Sequence, residues 1–222
     1  MQNALNTIVK MLGDVNQSVR ESTSWTLAKI CETAPEPLNN PQLFSTLIAG
    51  LLNALKDTPR IANQTCFAIH NLAESLKPCE GQTSGVFSGF FSQIIEGLWN
   101  AGFSENSFSD GLNLAHAVFA AMAQVIQFSS NDILPLLDSL MKKIMGALQS
   151  TMTGGFPKPG KIEEYQGYFC AALQPILIKL QKRISPEISE QIMNLLIETF
   201  KKRGNVYDEG ILLAAGLASG KS

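Results

Sequence analysis

The chain has 222 residues, of which 45% are hydrophobic and only 16% charged, with a formal net charge of -2. That apolar content excludes intrinsic disorder and supports a sizeable core, and so small a net charge does not point to nucleic acid. Four cysteines without C-x-x-C spacing and two histidines, His70 and His116, exclude an evident zinc site or disulfide framework.

Cys31, Cys66, Cys79 and Cys170 lie mostly inside apolar runs, which suits a reducing compartment. Charge is uneven along the chain: residues 1–128 carry ten acids and six bases, residues 129–222 nine acids and eleven bases.

The opening MQNALNTIVKML reads as part of a helix. It lacks the basic region, apolar core and cleavage site of a signal peptide. A turn, GDVNQ (13–17), leads into a second helix, Ser18 to Glu32. Pro41 to Lys56 is the next helix, with Leu43, Leu47, Leu51 and Leu55 four apart. The turn KDTP (56–59) then introduces Arg60 to Glu74. At an offset of 42 the two second helices match: Val19 with Ile61, Thr23 with Thr65, Trp25 with Phe67, Leu27 with Ile69, Ile30 with Leu72 and Glu32 with Glu74. Helix, turn, helix at a period of about 40–47 residues is the signature of HEAT or armadillo arrays.

The rhythm continues more loosely. Ser84 to Ala101 is a first helix, rich in Phe87, Phe90, Ile94, Ile95 and Leu98, with a partner from about Ser109 to Phe128. Gly111 to Asn131 has no charge, which raises a membrane question. Its Asn113, His116, Gln124, Gln127 and many alanines suit a buried helix instead. Asp132 to Ser150 carries Ile133, Leu136, Leu137, Leu140, Ile144 and Leu148 on one stripe. After the loop 151–161, its partner runs from Ile162 to Arg183. Ser185-Pro186 opens a helix with a serine cap and proline at the first position, running to about Arg203. Tyr207 to Ala218 begins one more. No strand alternation is present.

These segments predict an all-α HEAT-repeat α-solenoid, a right-handed superhelix of about five antiparallel hairpins at about 1–36, 41–77, 84–128, 131–184 and 185–220. Arrays of this kind finish in polar capping repeats. Neither end reads as one, so a single array cut from a longer solenoid is expected.

Two stretches carry a more specific likeness. SVRESTSWTLAKICETAPE (18–36) resembles the V-R-[DE]-x-x-x-W-T-x-x-x-I-C-E pattern of the importin beta (karyopherin beta) family, through Val19, Arg20, Glu21, Trp25, Thr26, Ile30, Cys31 and Glu32. TPRIANQTCFAIHNLAES (58–75) resembles the next repeat of that family, through Pro59, Arg60, Ile61, Ala62, Cys66, Ala68, Leu72, Ala73 and Glu74. From Ser84 onward the likeness is mainly in helix placement, helped by CAALQPILIKL (170–180). The resemblance implies a nuclear import receptor found in cytoplasm, nucleus and nuclear pore. Its partners would be importin alpha, through a basic helix, or cargo; Ran-GTP, which releases them; and phenylalanine-glycine nucleoporins. It implies no catalysis, no cofactor and no membrane insertion. Where the family pattern has tryptophan, Phe67 stands here.

The residues can also be read alone. With Val19, Thr23, Leu27 and Ile30 as core face, Glu21, Trp25, Ala28 and Glu32 form the opposite stripe. With Ile61, Thr65, Ile69 and Leu72 as core, the opposite stripe is Asn63, Phe67, His70, Asn71 and Glu74. We take Glu21, Trp25, Glu32, Asn63, Phe67, Asn71 and Glu74 as the candidate partner-binding set. Carboxylates would pair with arginines and aromatic faces would stack on them. The third copy places Ala117 at the aromatic position.

Plainer readings stand beside these. Trp25 and Phe67 suit a core as well as a surface, and Glu32 and Glu74 suit ordinary solvated positions. Arg20 suits a local pair with Asp14, and the two histidines suit plain helix positions. Phe87, Phe90 and Phe91 either pack the core or receive nucleoporin phenylalanines. TGGFPKPGK (153–161) reads as a flexible connection or a Ran contact. GLASGKS (216–222) has three residues between its glycines where a phosphate-binding loop needs four, and no other catalytic motif occurs. An alternative to the transport receptor is a HEAT scaffold of a phosphatase or trafficking complex.

Overall fold

The computed structural model describes residues 2–35, 38, 40–78, 85–109, 111–180 and 183–203. They contain helices and turns but no strand. The chain divides into two compact units, Met1–Asp132 and Ile133–Ser222.

In the first unit, α1 (Gln2–Met11), α3 (Pro41–Ala54) and α5 (Phe91–Gly102) alternate with α2 (Gln17–Thr33), α4 (Pro59–Ser75) and α6 (Leu114–Phe128). A single 3-10 turn, Ser88–Phe90, leads into α5. Asparagine starts three of these helices. Asn16 accepts from the Ser18 amide at 2.9 Å, Asn40 from those of Gln42 and Leu43 at 3.1 and 3.3 Å, and Asn113 from that of His116 at 3.0 Å. Such caps satisfy amides that have no partner within the helix. On α3 the buried residues Leu43, Phe44, Leu47, Ile48 and Leu51 recur at helical spacing and form one apolar stripe.

The second helices α2, α4 and α6 pack along one another, whereas α1, α3 and α5 touch only sparsely. Side-chain size explains the difference. The buried surfaces of the tight row include Ser24, Ala28, Cys31, Ala62, Cys66, Ala68, Ala73, Ala115 and Ala121. Backbones approach closely there: Asn71 donates to the Ala28 carbonyl at 3.2 Å and Ser75 to that of Cys31 at 3.0 Å. The side chains of α2 and α4 that this packing leaves uncovered form their solvent face. Ala28, expected on that face, is buried, because its small side chain fills the contact with α4.

Arg20 differs from its expected local pairing. Its guanidinium holds Asp57 through two bonds, Nε to Oδ2 at 2.5 Å and Nη2 to Oδ1 at 3.0 Å. Asp14 receives it only through its backbone carbonyl, at 2.9 Å. The clasp thus ties the turn before α2 to the turn before α4. A short polar chain fixes the α6 end, with Ser88 donating to Asp132 at 2.8 Å and Ser130 2.9 Å from Ser88. Phe87 and Phe91 are buried, and Phe87 and Phe90 contact Phe44 edge-on at 5.3 and 5.6 Å. Phe87 and Phe91 thus belong to the core, while Phe90 is only half-buried.

In the second unit, α7 (Leu134–Thr153) and α8 (Ile162–Leu180) form a close hairpin, and α9 (Pro186–Arg203) lies against α7. Gly154 ends α7 with φ +82°, a conformation glycine adopts without steric cost. The connection that follows is not loose. Phe156 is buried against Tyr165 at 5.1 Å and Phe169 at 6.1 Å, and Lys161 pairs with Glu164 at 2.8 Å. Ser185 accepts from the Ile188 amide at 3.4 Å. The expected helix 207–218 and the GLASGKS segment lie outside the described residues. Among the described residues no helix is long and apolar enough to cross a membrane, and no cluster of metal-ligating side chains occurs.

Candidate protein-binding surface on the second helices

The burial pattern fixes which residues of α2 and α4 face solvent. Thr23, Ser24, Leu27 and Cys31 go inward on α2; Thr65, Cys66, Ile69, Leu72 and Ala73 go inward on α4. Trp25 and Phe67 are left outward, 54% and 47% exposed. These are large apolar rings on a surface where most apolar side chains are covered. Glu32 and Glu74 are exposed near the helix C-termini, and Glu21 and Asn63 are half-buried nearer the starts.

The candidate acids are not alike. Glu21 faces Arg60 at 3.7 Å across the α2–α4 seam. Glu32 accepts from Lys29 at 2.7 Å, and both side chains are about half exposed. Such a pair exchanges readily with water and ligands. Burial lowers the pKa of His70, opposed by the charge of Glu74. At neutral pH His70 is therefore uncharged and adds no cation to this face. Asn71 is half-buried with its amide committed to Ala28, which gives it a packing role on this row.

Glu21 and Trp25 open onto a groove of about 810 Å³. α2 supplies one wall and α4 another, with Arg60, Asn63 and Gln64. Leu112, from the connection before α6, adds an apolar edge. Phe67 and Glu74 lie further along α4, beyond this groove. Arg60, Gln64 and Leu112 were absent from the sequence-based set. Arg60 was legible as part of the P-R-I-A motif, but its meeting with Glu21 needs the helix pairing. Leu112 lies on no helix and gave no periodic signal.

On α6 the face changes character. Ala115, Val118, Phe119, Met122, Val125 and Ile126 are buried, which leaves His116, Ala120, Gln124 and Gln127 toward solvent. Ala117 is 8% exposed, so it is not the counterpart of Phe67; Ala120 is. The longer α5–α6 connection shifts the register, and the offset of 42 does not extend to it. No acid lies on this helix, and the aromatic that follows is Phe128 at its last position, part-buried with Lys77 Nζ 6.0 Å from its ring centroid.

The second unit has its own groove of about 520 Å³ between α7 and α9. Met141, Met145, Ile188 and Leu195 line it together with the amides Gln149, Gln191 and Asn194 and the charged Lys142 and Glu198. Gly146 also lines it, and nothing lies within 4 Å of where a Cβ would stand.

Comparison with known proteins identifies the array. The family described as "Importin subunit beta-1-like, TPR repeats" matches residues 46–219, and a HEAT repeat matches residues 4–34. Importin subunit beta-1 of Schizosaccharomyces pombe is 27% identical over 227 residues, covering 96% of this chain. Importin subunit beta-1 of Arabidopsis thaliana is 27% identical over 218 residues, covering 93%. The chain spans 25% of the length of each. A crystal structure of importin beta superposes with a TM-score of 0.86 at 25% identity, over 99% of this chain and 26% of that one. The fold is shared, at 20–21% identity, with Kap95p in a structure with RanGDP and with Kap95 in a complex with Nup1. In both the TM-score is 0.83 over 98% of this chain, which spans 26% and 25% of the respective Kap95 chains.

Proposed function

Because the chain belongs to the importin subunit beta-1-like family, we propose that it is a non-catalytic receptor segment that holds a basic, arginine-bearing helix on the solvent face of α2 and α4. The observation that carries this reading is the outward placement of Trp25 and Phe67, one repeat apart, on helices that also expose Glu32 and Glu74. An indole face and a nearby carboxylate together suit a guanidinium, which stacks on the first and pairs with the second. Each stack on an exposed ring contributes about 0.5–1 kcal/mol. Tight binding therefore needs further repeats of the longer array. The occupant is the basic helix of an importin alpha adaptor or an equivalent cargo segment. Its release by Ran-GTP and passage through nuclear pores, between cytoplasm and nucleus, follow from the same family reading. The family match favours this over a phosphatase or trafficking scaffold.

The test is titration of a labelled basic helical peptide at low and high salt, against wild type and Trp25→Ala/Glu74→Ala. Salt-sensitive binding lost in the double variant is expected. Binding that survives both changes would place the ligand elsewhere.

A second reading concerns the α7–α9 groove. Its Met141, Met145, Ile188 and Leu195 side chains, beside the open position at Gly146, suit a phenylalanine ring, and its amides Gln149, Gln191 and Asn194 suit the backbone of a phenylalanine-glycine nucleoporin segment. Kap95 in its complex with Nup1 shares the fold. A Cβ at Gly146 meets nothing within 4 Å, so Gly146→Leu should narrow the groove and abolish capture of such a peptide while leaving the melting temperature equal or higher. Unchanged capture would refute this site.

A further inference from the structure

The groove beside Trp25 contains two charged residues among the described ones, Glu21 and Arg60. A surface built only to receive cations has no need of the second. Local helix physics does not account for it either. Arg60 stands in the first turn of α4, where the helix dipole favours acids over bases.

The geometry of its contact is informative. Arg60 Nη1 lies 3.7 Å from Glu21 Oε1, outside hydrogen-bond distance, and the side chains are 64% and 38% exposed. The neighbouring Arg20–Asp57 pair is built differently, with two short bonds and side chains only 20% and 16% exposed. One pair is a fixed clasp between turns. The other is loose, open to solvent and faces the groove.

We propose that Arg60 is an affinity-setting residue of this groove: it neutralises Glu21 until a partner's guanidinium displaces it. The inference rests on the proposed cationic ligand. An arginine arriving over Trp25 meets a carboxylate already partly compensated, and a like charge next to it. Arg60 then swings into solvent, which its exposure permits at small cost. The resident cation thereby disfavours lone surface lysines and arginines. It yields only to a segment that gains the Trp25 stack as well.

The experiment is fluorescence anisotropy of a labelled arginine-rich amphipathic helical peptide with the whole chain, at low and high salt. Variants are Arg60→Ala, Glu21→Gln, Arg60→Ala/Glu21→Gln and Trp25→Ala. Arg60→Ala should tighten binding about two- to fivefold at low salt, with the gain fading at high salt. The gain should shrink by more than half in the Glu21→Gln background, because no carboxylate is left to free. Equal melting temperatures would show that folding is not responsible. If Arg60→Ala binds equally or more weakly while Trp25→Ala still impairs binding, the role of Arg60 is overturned and the cationic ligand stands. If neither wild type nor Arg60→Ala binds at low salt, both fall.

Discussion

Replacing Trp25 with alanine separates a binding ring from a structural one. A tryptophan carries about 200 Å² of buriable surface. With 54% of it exposed, roughly 110 Å² is left for a partner to cover. At about 25 cal/mol per Å² that is worth up to about 3 kcal/mol, and a stacked guanidinium adds about 0.5–1 kcal/mol. Incomplete cover and the ordering of partner side chains reduce the sum. A loss of about 1.5–3 kcal/mol, roughly ten- to a hundredfold in Kd, is expected. The fold should notice much less, because the solvent half of the ring touches nothing that the truncation empties. A destabilisation of about 1 kcal/mol corresponds to a few degrees in Tm. Peptide titration and a thermal melt on the same protein give both quantities. Unchanged affinity would refute the reasoning. So would a fall of more than about 10 °C in Tm, which would mark Trp25 as a packing residue.

Three further outcomes follow from the packing. Asp57→Ala should destabilise the first unit at neutral pH by removing the clasp to Arg20. The bond from Arg20, more than any other influence, holds the Asp57 carboxyl below its ordinary range. Its contribution is therefore fully present above about pH 4 and is lost as the pH falls through the lowered value. Melts of wild type and variant should differ by a constant amount near neutrality and converge in acid; a gap that persists in acid would contradict the clasp. Phe156→Ala should cost the second unit about 3–4 kcal/mol through the emptied ring site, read as faster amide exchange across 134–180; unaltered exchange would show that the connection is loose. Burial pushes the Cys31 thiol up to about 12 and raises that of Cys66 as well. Neither should react with a thiol reagent at pH 8 until urea is added, and rapid labelling of the native chain would contradict their burial.

Much of this architecture was legible in the chain itself. The match of Ser18–Glu32 to Arg60–Glu74 reported two equivalent helices, because a repeat must present the same apolar stripe to the same neighbours. Ser185 marked a helix start for the local reason that an unpaired amide needs an acceptor. Trp25 and Phe67 were legible as lying on the stripe opposite the core.

What the chain could not specify depends on groups far apart in sequence. Arg20 had Asp14 nearby, but its guanidinium reaches Asp57, a choice made only when two turns stack. Glu21 meets Arg60, and Asn71 spends its amide on the Ala28 carbonyl, because small side chains let α2 and α4 approach closely. Phe156 reads as part of a glycine- and proline-rich connection until Tyr165 and Phe169 offer it a pocket. The shift from Ala117 to Ala120 has the same origin, since connection length sets the register and periodicity does not count loop residues. Helical spacing determined which face each residue could occupy. Packing between helices decided which of those residues remain open to a partner.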